Sequence, residues 1–236
     1  IMQRYFAKEK LNDCFILEDS DYYHIRVVMR MKDLDEIVVI YNSSAYLCYL
    51  QNVSSDMKVF IKEEMSIKES KIPFVRLVIP ALKEQKMDYI FQKATELGVS
   101  EFVLYEAKRS VVKVKDFDKK VIRWNKIVKE ASEQSHRLEV PNIIGIKKLE
   151  DLHHLDGVKL VCSTREKTEN IKKLLKNVDI CAKMNVVIGP EGGLEEQEEK
   201  RLEELEFIPI TLGNRIMRVE TVPLFMMSVI NYEYME

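Results

Sequence analysis

Residues 184–193 read MNVVIGPEGG, a short apolar run of the kind found in buried strands, followed at once by a glycine-rich loop. The chain has only seven glycines in 236 residues. Four of them lie in this loop and in a second one at Gly213, which also follows a strand-like run. Glycine permits positive φ and close backbone approach. The two loops therefore predict either a ligand site at the ends of parallel strands or a pair of tight turns. Neither loop matches a P-loop or a Gly-x-Gly-x-x-Gly fingerprint.

Outward from this stretch, strand-like runs alternate with segments of helical spacing from residue 74 to the end of the chain. Strands are expected at 74–79, 99–105, 159–162, 184–188 and 207–212. Helices are expected at 87–97, 118–131, 167–177, 194–206 and from 222 onward. Gly98 stands where a helix C-cap glycine belongs, and Asp118 or Asp116 is expected to cap the second helix. The alternation predicts an α/β fold with a mostly parallel sheet covered by helices on both faces.

The first 70 residues show a different pattern. Two β-rich runs at 36–41 and 45–51 flank Asn42-Ser43-Ser44 and predict a hairpin. The polar residues 62–72, which end at Pro73, predict a linker. We therefore predict a small β domain over residues 1–70 and an α/β domain over residues 71–236.

The charge of the chain is unevenly distributed. Thirty-seven basic and 39 acidic groups give a net charge of −2. Residues 108–129, however, hold nine basic and two acidic groups. Such a segment could neutralise several phosphates, although a solvated helix face explains it equally well. The overall balance therefore does not exclude a nucleic-acid partner.

Several classes of protein are disfavoured by the sequence. No run of about 18 apolar residues predicts a transmembrane helix. The start of the chain lacks a basic region followed by an apolar core, so no signal peptide is predicted. The four cysteines show no Cys-x-x-Cys spacing, which predicts no metal site and fits a reducing cytoplasm.

Two polar stretches carry candidate binding groups. Arg218 and Glu220 stand in apolar surroundings after the second glycine loop, so they are expected to pair or to bind a polar ligand. Thr221 is expected to cap the final helix, with Pro223 in its first turn. The other stretch is residues 133–137 (EQSHR), whose Gln and Arg suit base edges and phosphates but also suit an ordinary helix end.

Taken in order, these motifs resemble the RsmE family of bacterial 16S ribosomal RNA uridine-N3 methyltransferases, members of the SPOUT superfamily. The segments that carry the resemblance are GPEGG from Gly189, LGNRIMRVET from Leu212, RWNKI from Arg123 and EASEQSHRLEVP from Glu130. The similarity extends upstream through KATELGV from Lys93, RSV from Arg109 and the segment from His24 to Arg30. The ordered combination is specific, whereas each motif alone is weak.

The resemblance implies a trefoil-knotted methyltransferase domain that binds S-adenosylmethionine, preceded by a PUA-like β-barrel that helps to grip RNA. The expected cofactor-binding residues are Ile188, Gly189, Pro190, Glu191, Gly192, Gly193, Leu212, Gly213, Ile216, Met217, Arg218 and Thr221. The apolar final helix, 222–232, is expected to form a homodimer interface.

The implied reaction is attack of uridine N3 on the methyl group of the cofactor. Because N3 carries a proton, the site needs a base or a group that stabilises the anion, and the target base must be unpaired. Gln134 and Arg137 are the candidates for orienting or stabilising the uracil, with Arg218 and Glu220 in support. The expected RNA-binding residues are His24, Arg26, Arg30, Arg109, Lys119, Lys120, Arg123, Lys126 and Arg137.

Three other functions remain open at this point. The first is another SPOUT methyltransferase that acts on a ribose 2′-hydroxyl or on transfer RNA. The second is a non-catalytic RNA-binding adaptor with the same fold. The third is a metabolic enzyme that uses GPEGG to bind a nucleotide.

Overall fold

A computed structural model describes residues 2–53, 56–67, 72–110 and 117–235. The chain divides into two compact units. The first unit contains Ile1–Glu69 together with Ser132–Glu139, and the second contains Ser70–Ala131 and Val140–Glu236.

The first unit is built on a six-stranded sheet. Its strands are β1 (Arg4–Phe6), β2 (Glu9–Leu11), β3 (Cys14–Ile16), β4 (Glu36–Tyr41), β5 (Ser44–Val53) and β6 (Asp56–Met65), in the order β1-β4-β5-β6-β3-β2. β1 pairs with β4 in parallel and the other pairs are antiparallel. A helix α1 (Asp19–Tyr23) runs directly into a π-helical turn, His24–Val28. The predicted hairpin is confirmed as β4–β5, with Asn42 and Ser43 at positive φ in its two-residue turn.

The second unit is built on six parallel strands. They are β7 (Val75–Pro80), β8 (Glu101–Tyr105), β9 (Asn142–Lys147), β10 (Val158–Cys162), β11 (Met184–Ile188) and β12 (Ile208–Ile210), in the order β12-β10-β11-β7-β8-β9. The helices are α2 (Glu84–Glu96), α3 (Phe117–Gln134), α4 (Ile171–Leu175), α5 (Glu196–Glu204) and α6 (Thr221–Tyr234), with a 3₁₀ helix at Leu149–His154. The last three residues of α3 belong to the first unit.

Alternate side chains of the parallel strands face opposite cores. In β7, Leu77 and Ile79 join the apolar cluster that includes residues of α2, α3, α4 and α6, whereas Val78 joins a second cluster that includes Leu202 of α5. A strand buried on both faces must carry a nearly continuous apolar run, as β7 and β11 do. The predicted α/β fold with a parallel sheet and helices on both faces is confirmed.

The end of α2 follows the predicted cap. Gly98 has φ +91°, and its N–H donates to Thr95 O at 3.0 Å while the N–H of Val99 donates to Ala94 O at 3.0 Å. These two bonds form a Schellman motif, which satisfies carbonyls that the helix itself leaves free.

The final helix packs inside the second unit. Met226, Met227 and Ile230 of α6 are fully buried, and the helix contacts α2 and α4. Tyr232 is 75% exposed on the other side. Within the described residues, no helix combines the length and apolar character needed to cross a membrane.

Three local predictions are wrong. Residues 62–65 are not linker, because β6 continues to Met65 and pairs there with Ala45 of β5. Asp118 does not cap α3, because the helix already begins at Phe117 and places Asp118 in its first turn; Asp116 lies outside the described residues. Thr221 is the first residue of α6, and Glu220 takes the cap position.

Candidate active site at the carboxyl edge of the parallel sheet

The strand order creates a crevice between β7 and β11. These two strands are neighbours, but the chain leaves β7 toward β8 on one side and leaves β11 toward β12 on the other. In an open parallel sheet, such a switch point is where ligands bind, at the carboxyl ends of the strands. The loop that follows β11 at this point is the first glycine loop, residues 189–193.

The first glycine loop is a tight turn with an open side. The N–H of Gly193 donates to Pro190 O at 2.8 Å, and Gly193 has φ +69°. A Cβ added at Gly193 would meet no atom within 4 Å, whereas one at Gly189 would lie 3.3 Å from the backbone nitrogen of Leu194. Gly189 is therefore needed for close packing, whereas the Cβ direction of Gly193 is open.

Side chains at the end of β8 and in the segments after β8 and β10 hold the backbone of this loop. Tyr105, the last residue of β8, is fully buried and donates its hydroxyl to Ile188 O at 2.9 Å. Its burial raises the pKa of the Tyr105 phenol well above the usual value, so the hydroxyl keeps its proton. Arg109 donates to Gly192 O at 3.1 Å, and Arg165 donates to Leu194 O at 2.8 Å. These contacts hold the loop from two sides of β11, because β8 and β10 lie on opposite sides of that strand in the sheet.

Two buried carboxylates at the start of α5 extend this support. Glu198 accepts the backbone N–H of Lys108 at 2.8 Å, and Glu199 accepts the hydroxyl of Ser163 at 3.1 Å. Arg165 also pairs with Glu199 at 2.8 Å. Buried carboxylates are costly unless their charge is compensated. Glu199 has an arginine partner, and Glu198 accepts backbone N–H groups from Lys108 and from Glu195.

The second glycine loop follows β12. The N–H of Thr211 donates to Glu169 O at 2.7 Å, which fixes the start of the loop. Gly213 has φ +107°, and a Cβ built there would meet nothing within 4 Å. Ile216 is 88% exposed, an unusual position for a large apolar side chain. This loop therefore combines an open backbone with an uncovered apolar side chain.

A lysine from α2 lies between the first glycine loop and the start of α6. Nζ of Lys86 is 3.1 Å from Glu191 Oε1 and 3.0 Å from Glu220 Oε2. Burial opposes ionisation of Glu220. Its own backbone N–H, Lys86 and Arg218 outweigh that effect, so the pKa of this carboxyl lies below its ordinary value. Glu220 is thus a carboxylate at neutral pH, paired with Lys86 in the structure; the sequence had suggested Arg218 as its partner.

The segment that carries Gln134 and Arg137 is anchored on the first unit. The N–H of Arg137 donates to Ser132 O at 3.0 Å, and His136 takes φ +63°. This is the arrangement that ended α2, but with His in the position that favours glycine. Glu133 accepts the N–H of Phe6 at 3.2 Å, and Leu138 packs in a small core against strand β4.

Arg4 and Ser43 add two further contacts to this segment. Arg4 donates to His136 O at 3.4 Å, and the Ser43 hydroxyl donates to Glu139 at 2.8 Å. Gln134 and Arg137 therefore belong to one unit, and Arg218 and Glu220 to the other.

The expected RNA-binding residues differ in their exposure and in the contacts that they make. Lys119 and Lys126 are exposed on α3, and Lys120 is partly buried there. Arg123, on the same helix, pairs with Glu84 and Asp88 of α2, so its charge is already used in the fold.

On the first unit, His24 shares a 2.9 Å hydrogen bond with the hydroxyl of Tyr5. Arg26 and Arg30 are exposed, Arg26 in the π-helical turn and Arg30 just beyond it. No group of three or more His, Cys, Asp or Glu within the described ranges could hold a metal ion.

The structure adds residues that the sequence analysis did not single out. They are Lys86, Tyr105, Arg165, Glu198 and Glu199. Tyr105 and Arg165 stand at a strand end or just after one, whereas Lys86, Glu198 and Glu199 stand in the first turns of α2 and α5. These positions are the signal that could have found them. Their partners lie far away in sequence, so the pairing itself required the strand order.

Comparison with known proteins identifies the class to which this fold and site belong. A family model described as an RNA methyltransferase domain matches residues 68–231. The ribosomal RNA small subunit methyltransferase E of Bacillus subtilis (strain 168) is 35% identical over 98% of this chain and 97% of its own length. That of Aquifex aeolicus (strain VF5) is 32% identical over 97% and 99%. The chain belongs to the ribosomal RNA small subunit methyltransferase E (RsmE) family, so the resemblance drawn from the motifs is confirmed.

Solved structures agree with this assignment. A ribosomal RNA small subunit methyltransferase E from Neisseria gonorrhoeae, bound to S-adenosyl methionine, is 27% identical with a TM-score of 0.88. The match covers 99% of this chain and 98% of that one. A protein described as hypothetical is 34% identical with a TM-score of 0.87, covering 98% of both chains.

Proposed function

We propose that this chain methylates N3 of a uridine in small-subunit (16S) ribosomal RNA, with S-adenosylmethionine as the methyl donor. The observation that carries the proposal is an open glycine loop at the switch point of a parallel sheet, with a second open glycine loop after β12, in a chain of the RsmE family. When bound, the cofactor supplies an electrophilic methyl group on a cationic sulfur.

The residues of the two loops fit such a cofactor. Gly193 and Gly213 leave open space where a side chain would stand, so their backbone can approach an adenine or a ribose. Ile216 and Met217 offer apolar surface for a flat ring, with Ile188, Gly189, Pro190, Glu191, Gly192, Leu212, Arg218 and Thr221 completing the proposed wall. The carboxylates of Glu191 and Glu220 suit a ligand that carries positive charge.

Methylation at N3 requires that uracil lose its N3 proton as the bond to the methyl group forms. The ionised carboxylate of Glu220 suits acceptance of a hydrogen bond from N3–H. Arg218 and Arg137 carry guanidinium groups that stabilise negative charge on the uracil oxygens as N3 loses its proton. Gln134 has both a donor and an acceptor, which suits orientation of the Watson–Crick edge. The target must be unpaired for this edge to be reached.

The basic residues are proposed to hold the RNA backbone. The exposed Lys119 and Lys126, together with Lys120, offer cations to phosphates. Arg109 is already bonded to the carbonyl of Gly192, and Arg123 is paired with Asp88 of α2. On the first unit, His24, Arg26 and Arg30 form the corresponding candidate contact. The first unit is proposed to be a PUA-like barrel for this purpose.

The remaining features are proposed from the family. The second unit is proposed to be trefoil-knotted and to form a homodimer through α6, where Tyr232 offers uncovered aromatic surface. The expected location is the cytoplasm, where ribosomal RNA is found.

The test is a methylation assay with purified protein, S-adenosylmethionine and 16S RNA or 30S subunits from a strain that lacks the gene. Digestion to nucleosides and mass spectrometry should reveal N3-methyluridine. Glu220→Gln should lower kcat, while the matched surface change Glu203→Gln should not. Methylation of a ribose hydroxyl or of transfer RNA would contradict the proposed acceptor. Absence of cofactor binding would favour the adaptor.

A further inference from the structure

The position of Lys86 links two walls of the proposed cofactor site. This lysine stands in the first turn of α2, just after β7, and so at the switch-point crevice. Its ammonium lies about equally close to Glu191 in the first glycine loop and to Glu220 at the start of α6, at 3.1 and 3.0 Å. We propose that Lys86 is a positioning residue that couples these two segments and sets them for cofactor binding.

The electrostatics of the cluster require such a cation. Oε2 of Glu220 is buried and accepts no well-aligned hydrogen bond from the described residues, so its 3.0 Å contact with Lys86 is an ion pair. Without Lys86, two partly exposed carboxylates would lie near the same point, and Oε2 of Glu220 is a buried atom. Like charges at short range disfavour the ionised form, so the segments would separate or one carboxylate would take a proton.

Lys86 itself stays protonated. The contact with Glu220 is the largest cause that raises the pKa of its ammonium, and Glu191 raises it further. It therefore does not act as a base toward N3. Its effect is to fix the positions of Glu191 and Glu220, which belong to the two loops that the cofactor would touch.

The test compares three single variants. Lys86→Met removes the charge and keeps an unbranched side chain, and Lys86→Arg keeps the charge. Lys200→Met is the matched control, because among the described residues Lys200 pairs with Glu196 of its own helix, at 2.8 Å. Thermal melting first confirms that each variant is folded.

The first measurement is amide hydrogen exchange in the ligand-free protein. Lys86→Met should speed exchange in both segments, 189–193 and 214–220, whereas Lys200→Met should change neither. The second measurement is S-adenosylmethionine affinity by calorimetry, where loss of two partly exposed ion pairs should weaken binding about three- to tenfold. Lys86→Arg should restore most of the affinity. The acid limit of binding should move to higher pH in Lys86→Met, because Glu220 loses one of the groups that lower its pKa and retains its own backbone N–H and Arg218.

Exchange that rises in only one segment, or in neither, would overturn the coupling. Full cofactor affinity in Lys86→Met with an unchanged pH limit would overturn the positioning role. The affinity measurement rests on the proposed function, because it requires cofactor binding. The hydrogen-exchange measurement uses the ligand-free protein and does not. If the unmodified protein fails to bind S-adenosylmethionine, the proposed function fails, while hydrogen exchange still decides the coupling.

Discussion

A comparison of Gly213 with Gly157 separates the effect of a substitution on ligand binding from its effect on folding. Gly213 has φ +107° and Gly157 has φ +91°, so an alanine at either position is strained. A Cβ at Gly213 meets nothing within 4 Å. At Gly157 it would overlap the carbonyl oxygen of Lys183, with the carbonyl carbon at 2.9 Å. The first change therefore costs backbone strain alone, and the second adds a clash with backbone.

The magnitudes follow from these contacts. Backbone strain should cost Gly213→Ala about 1–2 kcal/mol of unfolding free energy. The clash in Gly157→Ala adds about 1–3 kcal/mol, because the Lys183 peptide must shift. In a chain of this size each kcal/mol corresponds to about 2–4 °C in melting temperature. Gly157→Ala should thus melt clearly below Gly213→Ala.

Cofactor affinity should rank the two variants in the opposite order. The added methyl group of Gly213→Ala occupies the open space assigned to the ligand, so S-adenosylmethionine should bind at least about tenfold more weakly, a change of about 1.4 kcal/mol. Gly157→Ala, measured well below its melting temperature, should bind almost normally. Calorimetric titration and thermal melts check both rankings. Normal affinity in Gly213→Ala would refute the placement of the cofactor at this loop, and equal melting of the two variants would refute the steric reasoning.

Three further outcomes are expected. His136→Gly should raise the unfolding free energy by about 0.5–1 kcal/mol in urea, because relief at φ +63° exceeds the entropy cost of glycine; a loss would contradict the strained cap. The Glu166 carboxylate accepts hydrogen bonds from the backbone of Thr168 first, then of Glu169 and Lys167, which lower its pKa to about 2. Its stabilising effect is therefore present above the ordinary Glu pKa and is lost as pH falls toward 2. Glu166→Gln should reduce the fall of the urea midpoint between pH 6 and pH 3. A fall as steep as that of the unmodified protein would contradict this role. Charge reversal at Lys119 and Lys126 should weaken RNA binding and reduce its salt slope by about 0.7 per lost phosphate contact, as followed by fluorescence anisotropy at several salt concentrations; an unchanged slope would place the RNA elsewhere.

Two features of the fold were predicted from the residues that form them. The β4–β5 hairpin follows from Asn42-Ser43, and the end of α2 follows from Gly98. The strands β1, β2 and β3 were not predicted, because three residues are too few to show a period. The cap of α6 was placed one residue late at Thr221, since nothing local reveals that Lys86 holds Glu220.

The glycine loops of the candidate site were predicted from the sequence, but the side chains that hold the first of them in place were not. GPEGG and the loop at Gly213 stand out because glycine is scarce in this chain. The contacts of Tyr105 with Ile188 and of Arg165 with Leu194 depend on the order of the strands in the sheet. Strand order is set by the whole sheet, so no window of sequence contains it.

The β7–β11 pair has a consequence for biosynthesis. Arg76 and its partner Asn185 lie 109 positions apart. At about 5–20 residues per second, roughly 5–20 seconds of translation separate the two strands. During this interval one edge of β7 has no partner, and exposed strand edges promote aggregation. High contact order also slows the final pairing. Chaperone dependence during synthesis is therefore expected to concentrate on chains arrested between β7 and β11, and the crevice proposed to hold the cofactor forms only once that interval is over.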